Sequence, residues 1–89
     1  MHAVVVHTDI DMERWPEALA GTDQVKARLS SMDGFEGADW LMPIDGRGLM
    51  ISRWRDEDAA RAAAPPVGFS PAPGVTVTAV EVREVINRA

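Results

Sequence analysis

Between Met32 and Ala60 the chain runs Met-Asp-Gly-Phe-Glu-Gly-Ala-Asp-Trp-Leu-Met, passes a glycine-containing turn, returns as Leu-Met-Ile-Ser-Arg-Trp-Arg and goes straight into Asp-Glu-Asp-Ala-Ala. No other stretch limits the fold as much. Asp33-Gly34 closes a helix, because glycine takes the left-handed conformation without a Cβ clash. Residues 35–42 alternate as a strand, with Glu36, Ala38, Trp40 and Met42 on one face and Phe35, Gly37, Asp39 and Leu41 on the other. Pro43 is expected to end pairing, Asp45-Gly46-Arg47-Gly48 to reverse the chain, and residues 49–55 to return as the partner strand of a hairpin. On the returning strand Met50, Ser52 and Trp54 share one face, and Leu49, Ile51 and Arg53 share the other. Both faces carry apolar side chains, so both are expected to be covered.

The flanks complete the order. Ala3-Val4-Val5-Val6 is a β-branched run that reads as a central strand buried on both faces. Asp9 and Asp11 offer caps to a following helix, whose apolar residues Met12, Trp15, Leu19, Val25, Leu29 and Met32 keep to one face with Thr22 in the gap. Pro16 suits a first turn, so that helix begins near Trp15 or bends near Gly21. Asp56 caps a short second helix with Glu57 and Asp58 in its first turn, and residues 59–64 continue it until Pro65-Pro66 stops it. Residues 67–74 are expected to be an irregular connection or a mobile flap, residues 76–85 form a last strand, and residues 87–89 fray. The order strand, long helix, hairpin, short helix, strand predicts an α+β, ferredoxin-like βαββαβ fold, with an antiparallel sheet and both helices on one face.

Length and composition narrow the function. A chain of 89 residues reads as one domain over 1–89, and a domain of this size hides only roughly 60–65% of its unfolded surface. With 46% hydrophobic residues, the surplus apolar surface predicts a homodimer, two copies packed sheet to sheet. The net charge of -5, with no basic stripe, argues against nucleic acid. No apolar run approaches the ~20 residues of a membrane span, and cysteine is absent, so a cytoplasmic protein without membrane contact, disulfides or thiolate metal sites is expected.

Gly34-Phe35-Glu36-Gly37, the hairpin end Ile51-Ser52-Arg53-Trp54 and Asp56-Glu57-Asp58-Ala59-Ala60 together resemble the antibiotic-biosynthesis-monooxygenase family. The resemblance implies a dimeric α/β barrel with a pocket in each subunit between sheet and helices. Some members of that family oxidise aromatic polyketides with dioxygen and no cofactor, and related members bind and degrade haem. Trp54 sits where the haem degraders place a pocket tryptophan. Their first-strand asparagine and their histidine beyond the hairpin have no counterpart, since the sole asparagine is Asn87 and the only histidines are His2 and His7. A tyrosine used by some quinone-forming members has none either, because the chain contains no tyrosine.

Two functions follow as expectations. In the first, a cofactor-independent monooxygenase, His7 takes a proton from a phenolic, polyketide-like substrate and the resulting carbanion meets dioxygen. Trp54 and Trp40 stack the rings, Met42 and Met50 line a soft apolar wall, and Arg53 holds a carboxylate or phenolate. No metal and no cofactor are expected. In the second, a dimer of the same fold binds a small ligand or a protein partner without chemistry.

Overall fold

A computed structural model describes residues 1–89. Strand β1 (His2–Ile10) leads through one 3-10 turn (Met12–Arg14) into helix α1 (Trp15–Ser30). Strands β2 (Phe35–Ile44) and β3 (Arg47–Trp54), helix α2 (Glu57–Ala63) and strand β4 (Val75–Glu84) follow. The strands are antiparallel throughout and lie in the order β2-β3-β1-β4, so β1 is central. This is the expected ferredoxin-like α+β arrangement.

Each turn has a local cause. Asp11 accepts from the Glu13 amide at 3.1 Å and starts the 3-10 turn, and Pro16 occupies the first turn of α1, where no intrahelical donor is needed. Asp56 accepts from the Ala59 amide at 2.9 Å and caps α2. That bond, followed by Arg55, holds the Asp56 carboxyl below the usual carboxylate range. The hairpin turn is tighter than expected. Only Asp45 and Gly46 make it, with φ of 52° and 74°, and Gly48 already belongs to the strand.

The helices cover one sheet face, and the core forms there. It comprises Val4 and Val6 of β1, Val25 and Leu29 of α1, Trp54 of β3, Ala60 of α2 and Val77 of β4. Trp54 is 0% exposed, and its Nε1 donates to the Ser52 hydroxyl at 2.8 Å. A buried side chain of this size contributes about 3–5 kcal/mol relative to alanine.

Three expectations need correction. The valine run is not buried on both faces of the single chain: Val4 and Val6 are sealed beneath the helices, while Val5 is half-buried on the bare face. Pro43 does not end pairing, since β2 continues to Ile44; it is tolerated because β2 is an edge strand with a register irregularity between Leu41 and Ile44. Phe35 does not share a face with Asp39 and Leu41. A register shift between Phe35 and Gly37 turns it to the helix side, where its ring meets Trp54 edge-on at 5.4 Å and 71°.

Candidate functional site

Pairing register decides which side chains can meet a ligand. Val4 faces Ser52, Val6 faces Met50 and Thr8 faces Gly48, so the even-numbered positions of β1 and β3 point toward the helices. At one end of this layer the packing is incomplete. There, α1 and the end of the hairpin border a half-open cavity of about 300 Å³. Its floor is Thr8 and Ile10 of β1 with Gly48 and Met50 of β3, and Trp40 and Met42 of β2 form one side. Helix α1 supplies the roof through Trp15, Ala18, Leu19, Thr22 and Val25. Pro71 and Ala72 close the far wall.

The wall made by residues 71–72 is anchored. Within the 67–74 connection the Gly68 amide donates to the Val77 carbonyl at 2.8 Å, and the Val77 amide to the Phe69 carbonyl at 2.9 Å. The Gly74 carbonyl receives the Asp11 amide at 2.8 Å, and the Arg28 guanidinium lies 5.9 Å over the Phe69 ring. Ala72 comes so close to α1 that a Cβ on Gly21 would stand 2.5 Å from the Ala72 Cβ. Gly21, read from sequence as a weakness in the helix, is what lets this wall seat.

The lining is apolar and carries no titratable side chain. Only Thr8 and Thr22 bring hydroxyls. Such a surface binds by shape and desolvation, and offers no side-chain acid or base to a bound molecule. Trp40, Met42 and Met50 are among the residues that line this cavity.

The other predicted site residues lie elsewhere. Trp54 is in the sealed core and does not line this cavity. His7 and Arg53 occupy odd positions of β1 and β3 and so face away from the helices. His7 Nε2 lies 2.9 Å from Glu81 Oε2, and Arg53 donates to Asp39 at 3.0 Å. The bond to His7, and then Arg83, keeps the Glu81 carboxyl below the ordinary carboxylate range. His7 borders a shallow polar depression on that face with Asp9, Arg47 and Thr78. The sheet thus separates His7 from the rings it was expected to serve.

Sequence reasoning missed Thr8, Leu19, Gly48 and Ala72 as cavity residues. A signal existed for Leu19, which belongs to the apolar stripe of α1. For Thr8 and Gly48 the signal is the β1–β3 register, which local spacing does not contain. Among His, Cys, Asp and Glu no group of three is placed to hold a metal ion, and no helix is long and apolar enough to cross a membrane.

No protein-family model and no characterised sequence matches the chain. Solved structures do. The haem-free crystal structure of the heme-degrading protein Rv3592 from Mycobacterium tuberculosis superposes with a TM-score of 0.71 at 17% identity, over 100% of this chain and 99% of that one. A mutant of MhuD carrying two manganese protoporphyrin IX molecules per active site gives a TM-score of 0.74 at 17% identity, over 100% and 98% of the two chains. MhuD (Rv3592) with two hemes in its active site gives 0.71, again at 17% identity, over 100% and 99%. At this identity the shared property is the fold, along its full length.

Proposed function

We propose that this chain is a cytoplasmic homodimer whose subunits each bind a small aromatic or polyketide-like molecule in the apolar cavity between α1 and the sheet. One observation carries the reading: the cavity is lined by hydrophobic side chains, with two tryptophans and no ionisable group. Its volume of about 300 Å³ stands at the low end for ligand pockets, which suits two or three fused rings. Trp15 and Trp40 offer aromatic surface, and the thioethers of Met42 and Met50 adapt to a ligand edge.

The haem that MhuD binds does not fit these residues. The lining has no histidine, cysteine or tyrosine to ligate iron, and its two thioethers are a ligand type that haem proteins pair with histidine. It also has no lysine or arginine to meet the two propionates of a porphyrin. The oxygenase reading lacks a base for the same reason. His7, the residue assigned that task from sequence, is on the opposite face of the sheet. Binding without chemistry is therefore the better-supported of the two functions.

Dimerisation accounts for the bare face. Val5, Leu49 and Ile51 form a half-buried apolar strip there, flanked by the His7–Glu81 and Arg53–Asp39 pairs. A second copy laid sheet to sheet would cover the strip and leave both cavities on the outer sides.

Anthrone, a neutral three-ring ketone with an acidic C–H, tests the proposal on protein that sediments as two chains. It is expected to quench tryptophan fluorescence in a saturable way, through Trp15 and Trp40, while oxygen uptake stays at the protein-free rate. Uptake that rises in proportion to protein would restore the oxygenase function. Absence of saturable quenching would remove the cavity as a binding site.

A further inference from the structure

One hydroxyl in the cavity keeps an uncommitted proton. The Thr22 hydroxyl donates to the Leu19 carbonyl at 2.7 Å, as helical threonines do, so its proton is committed. Ser52, the other buried hydroxyl on the inner sheet face, is engaged by Trp54 Nε1 at 2.8 Å and does not line the cavity. Thr8 differs from both. Its side chain lines the cavity at 9% residue exposure, and no group of the chain hydrogen-bonds to its hydroxyl.

Space around that hydroxyl is kept by Gly48. A Cβ at position 48 would stand 2.5 Å from Thr8 Oγ1 and 2.7 Å from Ile10 Cδ1. Each neighbouring inward position of β3 carries a side chain, Met50 and then Ser52, and only here is the floor lowered. The Thr8 hydroxyl is free for whatever occupies the cavity, and an apolar ligand that covered it without offering an oxygen would strip it of water, which is disfavoured.

We infer that Thr8 is the polar anchor of the cavity, and that the ligand carries a hydroxyl or carbonyl oxygen on an otherwise apolar aromatic frame. This rests on the reading of the cavity as a ligand site and adds which ligands it selects. The oxygen function is neutral. A carboxylate would be desolvated with no cation along the lining to meet it.

The test compares 1-naphthol with 1-methylnaphthalene, two probes of similar size that differ in one hydroxyl. Wild-type protein is expected to prefer 1-naphthol by about five- to tenfold, the change that one neutral hydrogen bond makes. Thr8→Val, which keeps the branched shape suited to a strand, is expected to abolish the preference, and Thr8→Ser to retain it. An unchanged preference in Thr8→Val, or equal binding of both probes by the wild type, overturns the role of Thr8 and leaves the cavity reading intact. Failure of both probes to bind overturns the cavity reading and this inference together.

Discussion

Trp54 is sealed at 0% exposure with its N–H on Ser52, whereas Trp15 and Trp40 stay partly exposed along the cavity. The difference arises from what lies beneath each ring. Trp54 has Phe35 edge-on at 5.4 Å and α2 above it, so its polar handle must be satisfied inside the protein. Ser52→Ala strands that donor in the core. It should destabilise the protein by about 1–3 kcal/mol in urea unfolding, without changing affinity for a cavity ligand. A loss below ~0.5 kcal/mol, within the range of surface substitutions, would mean that the Ser52 contact carries no stability. The same residues show how far a sequence can be read. That Trp40, Met42 and Met50 share one face was legible because hairpin alternation fixes it. His7 was misread because residues 3–6 are apolar throughout, so nothing local says whether the odd or even positions of β1 face the helices. That parity is set by pairing with β3, a long-range contact.

At the scale of elements, helix and strand types were legible from caps, turns and alternation, and the misses fall where tertiary contact overrides local pattern. Pro43 continues an edge strand because an edge can spare a donor. The 67–74 connection has little periodicity, yet backbone bonds to β4 and the approach of Ala72 to Gly21 make it a wall. Glycine inside α1 costs about 1 kcal/mol of helix propensity relative to alanine, so an unconstrained Gly21→Ala should stabilise. Here the added methyl meets Ala72, and the single variant is expected to be no more stable than wild type and to bind cavity ligands more weakly. Combining it with Ala72→Gly should recover part of the helical gain. The coupling would appear as non-additive melting temperatures across the four proteins, and strict additivity would show that the two residues do not touch.

At the scale of the molecule, the sheet divides the chain into two chemically distinct sides. One side, under the helices, is apolar and ends in the cavity; the other bears Val5, Leu49 and Ile51 between ion pairs. The family resemblance drew attention to Trp54, in the core, and the mechanism built on it to His7, on the bare face. The binding reading puts the ligand in the cavity instead. The likeness to MhuD is one of architecture, and this cavity has neither a histidine nor a cation in its lining. An amide NMR titration with 1-naphthol tests that account most directly. Shifts concentrated at Thr8, Leu19, Trp40 and Met50 are the predicted result. Shifts concentrated at Val5, His7, Ile51 and Arg53 would put the ligand on the opposite face of the sheet and contradict it.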